Sequence, residues 1–577
     1  MYLRRTQRRR QDGSTVGYLQ LAHNRRVGSQ TTAEVLVNLG REDRLDVEAL
    51  RRLAGSIGRY VDGDGAEAPV AEGSERLEVV ASRPFGAVWL LDGLWRRLGV
   101  GQAIRTAAGG RRFQTDVERV LFALVCNRAI APCSKLAAAE WASLDAAIPG
   151  LGAMDDDQAY RAMDLLVEAD AAGAVQEAVF FAAADLLNLE VDLLFFDTTS
   201  TYFETAEADD QGEDGRSGFR AFGHSKDHRP DLPQVVVGLA VTREGIPVRV
   251  WSWPGNSSDM SVISEVKDDL RGWRLGRVVT VVDRGFSSDA NLAYLTRAGG
   301  HWIAGERMRD GSRDAQAALS RQGRYQSVRD NLRVKEVRIG HGDAARRFVV
   351  CHNPAEAERH KQARDATIAR LEGELARLAE GRARLAERAR AKAGTATATR
   401  ATAKLADAHT KAECALRDHP ALGRYLRQTA TGRLQLDRAR IAAEQRLDGK
   451  YLLSTSDPDL SAEDVALGYK NLLEAERGFR DLKGLLELRP VFHRLEQRIR
   501  AHITLCWLAL LLIRVAERQT QQTWRRVALE LGRLHLVTLT GPAGTVSQTT
   551  RLTDAQGAIY AAAGIAPPPP VTALSAA

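Results

Sequence analysis

Two apolar runs in this chain each finish on a carboxylate: Val191-Asp-Leu-Leu-Phe-Phe-Asp197 and Arg277-Val-Val-Thr-Val-Val-Asp283. A third acid, Glu476, lies within Gly468–Lys483. On a helical wheel at about 100° per residue, Ala475, Phe479, Leu482 and Leu486 form an apolar stripe. Tyr469, Glu476, Arg480 and Lys483 share the neighbouring arc, with Leu472 at its apolar edge. A carboxylate closing a Leu/Phe-rich strand is costly unless it is paired or metal-bound. Asp197, Asp283 and Glu476 together would offer the hard oxygen ligands that Mg²⁺ (or Mn²⁺) prefers. Two such ions about 4 Å apart can activate an attacking water or 3′-hydroxyl and stabilise the leaving oxygen. The plainer alternative for Glu476 is a solvated i,i+4 pair with Arg480, worth a few tenths of a kcal/mol. Asp192 has the opposite strand parity from Asp197 and reads as a surface residue, and Glu474 falls on a different, solvated arc.

The elements that would position these groups follow in a definite order. Val191–Asp197, Gln234–Thr242 and Pro247–Trp253 read as three strands, the last two joined by the turn Arg243-Glu-Gly245. A helix over 260–270, the strand ending at Asp283, a helix over 289–297 and a strand over 301–304 come next. Three strands, helix, strand, helix, strand, and later a helix bearing Glu, is the order of a ribonuclease-H-like nucleotidyl-transferase core. Ligands of open α/β sheets gather at strand C-termini, where this reading puts Asp197 and Asp283. The fold class expected is therefore α/β, a ribonuclease-H-like mixed sheet with a β-rich and helical-hairpin insertion, behind a mostly helical N-terminal region.

The segments divide as a β-containing region at 1–61, a Gly/Ala/Asp/Glu-rich linker at 62–76, and a helical DNA-binding domain at 77–190. The core takes 191–309 and 450–515, the insertion 310–449, and a helix with a disordered tail 516–577. Within the first region two strands (around Val16–Leu21 and Glu34–Leu39) precede a helix from Val47 to Val61. Within the insertion, Ile368, Leu371, Leu375, Leu378 and Leu385 keep a heptad spacing. Fewer than four clean heptads favour a hairpin arm over a coiled-coil dimer, with the Ala/Thr stretch 391–403 as its tip.

Among 577 residues the net charge is +7, and the pI is about 9.2. The cations cluster at Arg4–Arg10, 271–277 and 382–403. Such clusters favour polyanions, nucleic acid first and an acidic membrane surface second. Five scattered cysteines without a Cys-x-x-Cys pair argue against a disulfide framework or structural zinc and suit a reducing cytosol. The apolar run Ile503–Ile513 is short for a bilayer span and reads as a core helix, so no membrane role is expected. His224-x3-His228 is a weak zinc pattern; with Lys226 and Arg229 beside it, the loop reads better as a phosphate contact.

With these residues in place, the sequence resembles the DDE transposases of bacterial insertion sequences, of the insertion-sequence-four type. That group's signature is Tyr-x2-Arg-x3-Glu-x6-Lys, which Tyr469, Glu476 and Lys483 match in spacing, while Leu472 stands where the signature has Arg. Phe196-Asp-Thr-Thr-Ser-Thr-Tyr-Phe203, Val282-Asp-Arg-Gly-Phe286, Gly223–Gln234 and Arg489-Pro-Val-Phe-His493 are similar to the family's other blocks, over about residues 1–515. The resemblance implies cut-and-paste transposition: metal-dependent nicking at element ends, an end hairpin, then strand transfer. It implies two Mg²⁺ (or Mn²⁺) ions, DNA with terminal inverted repeats, target DNA, a homodimer in the synaptic complex, and a bacterial cytoplasmic, nucleoid-associated setting. It also implies that Tyr451 stacks a flipped base, which an aromatic face helps to stabilise. Tyr469, Arg480 and Lys483 would touch DNA, the two cations through backbone phosphates. Arg284 would contact phosphate or neutralise the carboxylates. A catalytically inactive DNA-binding relic and a host nuclease of the same fold are the other readings.

Overall fold

A computed structural model of the chain describes residues 2–9, 15–27, 30–42, 45, 50–52, 54, 77–109, 116–170, 173–210, 218–273, 275, 278–309, 312–342, 345–391 and 396–576. Most of the helix expected at Val47–Val61, the whole linker 62–76 and part of the arm's tip (392–395) lie outside these residues. The chain divides into two compact units, Met1–Gly276 with Leu473–Ala577, and Arg277–Leu472.

The first unit opens with an antiparallel sheet of β1 (Tyr2–Arg9), β2 (Thr15–Val27) and β3 (Gln30–Arg41). After β4 (Glu78–Pro84) come α1 (Gly86–Arg97), α2 (Val100–Ala107), α3 (Val117–Ile130), α4 (Lys135–Glu140), α5 (Asp156–Ala169) and α6 (Ala174–Leu187). The period of this region predicts helices throughout; β4 is the exception. The meander β5 (Leu193–Tyr202), β6 (Gln234–Thr242) and β7 (Pro247–Pro254) is antiparallel, and all nine residues of β6 are buried. Gly238 in β6 leaves room for the Trp253 ring, which would lie 2.6 Å from a Cβ there. Then come a helix α7 (Asp259–Arg271) and, later in the chain, the helices Leu473–Gly484 and Glu496–Thr520 of the same unit.

The second unit carries β8 (Val279–Val282), α8 (Asp289–Thr296), β9 (His301–Glu306), α9 (Arg313–Ser320), β10 (Gln326–Arg329), β11 (Leu332–Ile339) and β12 (Arg346–His352). The helical arm α10 (Pro354–Ala391) and α11 (Ala396–Arg417), β13 (Leu426–Gln428), β14 (Leu434–Leu436), α12 (Arg438–Gln445), β15 (Lys450–Thr455) and α13 (Ala462–Lys470) complete it. Its strands run in the order β10-β11-β12-β15-β9-β8, with only β8 and β9 parallel. The Ala/Thr stretch expected to be the arm's tip is mostly its second helix, because alanine favours helix wherever nothing breaks it.

Three further expectations are corrected. The stretch Gly468–Lys483 is two helices, α13 and α14 (Leu473–Gly484), not one. Ser461 starts the first with a capping box, and its chain ends in a tight turn at Asn471, where Leu472 N–H bonds Tyr469 O at 3.0 Å. Leu472 is only 7% exposed, so burial of an apolar side chain at the break offsets the interrupted helix ladder. Asp197 does not end its strand: Thr198–Tyr202 continue β5, because Thr and Tyr fit a pleated surface as well as Phe does. The tail after 541 is ordered. Helices α15 (Glu496–Thr520) and α16 (Trp524–Leu531) lead to β16 (His535–Gly541), β17 (Gly544–Thr549), α17 (Asp554–Ala563) and β18 (Val571–Ala576). These strands pair in the order β18-β17-β16-β4. Tyr560 is fully buried and donates to Gly86 O at 2.9 Å, so an aromatic anchor outweighs the loop-like composition.

Helix α15 is long and apolar enough to cross a membrane by length and composition, yet 89% of its most apolar window is buried inside the protein. It is the central core helix of the first unit, packed on α3, α5 and β7.

Candidate active site

In the first unit, Asp197 is half-buried in the middle of β5. The Lys226 ammonium lies 3.9 Å from its carboxylate and 3.1 Å from that of Asp259, the first residue of α7. Lys226 Nζ also donates to Thr198 O at 2.9 Å and Thr198 Oγ1 at 2.6 Å. Thr198 in turn hydrogen-bonds Asp259. The loop that delivers Lys226 is fastened at both ends. Lys226 N–H donates to Ser200 Oγ at 2.9 Å, while Gln234 Nε2 bridges His224 O and Gly255 O.

Glu476 sits on α14, which lies against β5 and β6. The apolar stripe read from the wheel is the buried one: Ala475, Phe479, Leu482 and Leu486 are all buried. Gly478 brings the helix close to the sheet, since a Cβ there would meet Leu239 Cδ2 at 2.7 Å. Two ion pairs fix the far end. Lys483 Nζ is 2.8 Å from Asp227, and Arg514 on α15 is 2.5 Å from Asp481. Burial pushes the Lys483 ammonium below its ordinary pKa, and Asp227 opposes the shift. Asp227 also takes Arg489 at 2.8 Å. Glu476 and Arg480 are exposed, and neither has an ion pair or hydrogen bond among the described residues. The solvated pair that their spacing allows is therefore not formed. Arg229 pairs with Asp231 at 2.8 Å and lies 5.2 Å from the Tyr202 ring centre, as Arg489 does.

In the second unit, Asp283 follows β8 directly, so this aspartate does end its strand. The Tyr469 hydroxyl, from α13, donates to Asp283 Oδ1 at 2.7 Å. Burial first, and then the Asp283 charge, push the Tyr469 phenol far above its ordinary pKa. Gly305 makes this reach possible, because a Cβ there would stand 2.3 Å from the Tyr469 hydroxyl. The Tyr451 ring lies against Tyr469, with centroids 6.3 Å apart and planes 26° from parallel. Arg284 is exposed.

Sequence reasoning thus named the acids and cations but missed Thr198, Asp227, Asp259, Arg489 as a partner of Asp227, and Gly305. Gly305 lies just past the strand expected over 301–304 and inside the one observed, His301–Glu306, where a glycine marks close approach. Asp259 and Asp227 had no readable signal, since ion-pair partners distant in sequence leave no periodic trace. Asp192, set aside as a surface residue, pairs at the surface with Arg243 at 2.5 Å. Among the described residues, no group of three or more His, Cys, Asp or Glu side chains is gathered so as to hold one metal ion.

Residues 200–512 match the family model described as transposase DDE domain, which is more than half of the chain. Residues 3–68 match the model described as IS1634 family transposase, N-terminal domain. No curated protein matches. Among solved structures, the piggyBac transposase synaptic complex with hairpin DNA is similar at a TM-score of 0.34 and 9% identity, over 80% of this chain and 82% of that one. That score is too low to carry an argument.

Proposed function

The chain belongs to the DDE transposases, and we propose that it moves an insertion sequence by cut and paste, with Asp197, Asp283 and Glu476 as its acidic set. The observation that supports this best is Glu476 itself: an exposed carboxylate with no partner among the described residues, on a helix fastened to the strand that bears Asp197. A surface glutamate with no structural role has no need of a glycine contact and two ion pairs to fix its helix.

The donor set suits hard divalent ions. All three groups are carboxylates, none is fully buried, and Asp197 already has one cation nearby, the Lys226 ammonium at 3.9 Å. Asp197, Asp283 and Glu476 would hold Mg²⁺ or Mn²⁺, which activates water or a 3′-hydroxyl and stabilises the leaving oxygen. Tyr469 orients Asp283 through its hydroxyl. Arg480 and Arg284, exposed and basic, take backbone phosphates. Lys226, Arg229 and Lys483 are held by aspartates in the protein alone and reach phosphate only by exchanging those partners. Tyr451 offers a ring for an unstacked base. The substrate is double-stranded DNA with terminal inverted repeats, joined to target DNA by a homodimer. The spacing of Tyr469, Glu476 and Lys483 favours the insertion-sequence-four type, and the chain order of β5 to β9 a ribonuclease-H-like core.

The test is nicking of a terminal-end duplex in Mg²⁺ by Asp197→Asn, Asp283→Asn and Glu476→Gln. Each swap removes a ligand charge at nearly constant volume, so nicking should fall at least about 100-fold while end binding persists. Retained nicking in any one variant removes that residue from the site.

A further inference from the structure

Four oxygens from three residues face the Lys226 ammonium. Thr198 supplies its carbonyl at 2.9 Å and its hydroxyl at 2.6 Å, Asp259 a carboxylate at 3.1 Å, and Asp197 a carboxylate at 3.9 Å. Building on the assignment of Asp197 as a metal ligand, we infer that Lys226 is the resident cation of the Asp197 site. Asp259 and Thr198 are the positioning residues that hold it there, and a divalent ion binds by displacing the ammonium.

The Lys226 ammonium faces both carboxylates, 3.9 Å from Asp197 and 3.1 Å from Asp259, so its charge opposes any second cation placed beside them. The geometry also permits displacement. The Lys226 backbone is tied down through Ser200 and the Gln234 bridge, so only its flexible four-carbon stem needs to move. Its side chain is 33% exposed and already borders solvent. The freed ammonium can then pair with a DNA phosphate. Metal and DNA would thereby bind with positive coupling, each favouring the state in which Lys226 has left Asp197.

Titration of metal-free protein with Mn²⁺, followed by calorimetry, tests this directly. Lys226→Met should bind Mn²⁺ at least about fivefold more tightly than wild type, because the competing charge is gone. Lys226→Arg should stay near wild type, and Asp197→Asn should lose most of the binding. Equal or weaker binding by Lys226→Met, with Asp197→Asn impaired, overturns the inference and leaves the metal assignment standing. Equal tightening in Lys226→Arg also overturns it, since the effect would then be steric. Wild-type affinity in Asp197→Asn overturns the metal assignment itself. A measurement on the unmutated chain covers poor folding of the variants: acetylation of Lys226 by acetic anhydride, read by mass spectrometry, should speed up several-fold when Mn²⁺ is added. An unchanged rate overturns the inference.

Discussion

Asp197, within β5 of the first unit, has an ammonium 3.9 Å away, whereas Asp283, just past β8 of the second, accepts a phenol hydrogen bond at 2.7 Å. The sequence presents the two as equivalents, an apolar run and then a carboxylate. Their neighbours solve the same problem in different ways. Lys226 compensates charge, and so competes with any other cation. Tyr469 adds no charge; its hydroxyl fixes Asp283 Oδ1. One aspartate is therefore guarded and the other oriented.

The largest effect that would break this contrast is expected from Tyr469→Phe. A hydrogen bond to a charged group is worth about 1.5–3 kcal/mol, so nicking should drop on the order of 10–100-fold. Metal affinity should not rise, in contrast to Lys226→Met; a rise would make Tyr469 a competitor as well. Gly305→Ala should reproduce the defect, because its Cβ would displace the phenol.

Next comes Leu472, at the break between the helix that carries Tyr469 and the helix that carries Glu476. Buried as it is, its replacement by Arg should cost about 1–3 kcal/mol, the range for overpacking a filled site. Urea denaturation would measure it, and an unchanged midpoint would show that the side chain can escape to solvent.

A smaller and more selective effect is expected at Arg480. Its replacement by Gln should weaken binding to element ends a few-fold and reduce the steepness of the salt dependence by about one counterion. The same change should leave Mn²⁺ binding unaltered. An unchanged salt slope would return Arg480 to a plain solvated role.

The smallest effect concerns pH. His493 is buried, which pushes its pKa down to about 4, with nearby Lys135 and Arg498 adding to the shift. The unfolded chain binds that proton near pH 6.5 and the folded chain only near pH 4. Stability should therefore fall as pH drops through that window, since the unfolded state holds more protons there. Thermal melts of His493→Gln should show a shallower decline, and an unaltered profile would assign acid sensitivity to other groups.

Legibility varied with the kind of information needed. The stripe of α14 was readable because 3.6-residue periodicity writes burial directly into the sequence, and Ala475, Phe479 and Leu482 are buried, as is Leu486 just past the helix end. The three strands of the meander and the core helix α15 were readable from their apolar runs. The tail was misread because Thr, Ser, Gly and Pro describe loops and edge strands equally well, and only pairing with β4 makes β16 to β18 a sheet. The single helix expected over Gly468–Lys483 failed for a related reason. Every residue there tolerates helix, and the turn at Asn471 is set by where Leu472 is buried.

The sequence by itself determined which acids to suspect, their order along the chain, and the face of α14 that turns inward. These follow from periodicity and from the cost of burying charge, both local properties. The tertiary structure decided the partners. It gave Lys226 to Asp259 rather than to solvent, Lys483 and Arg489 to one shared Asp227, and the Tyr469 hydroxyl to Asp283 through the space left at Gly305. An ion pair or hydrogen bond between residues tens to hundreds of positions apart depends on where folded backbones bring them, and no periodicity in the chain encodes that distance.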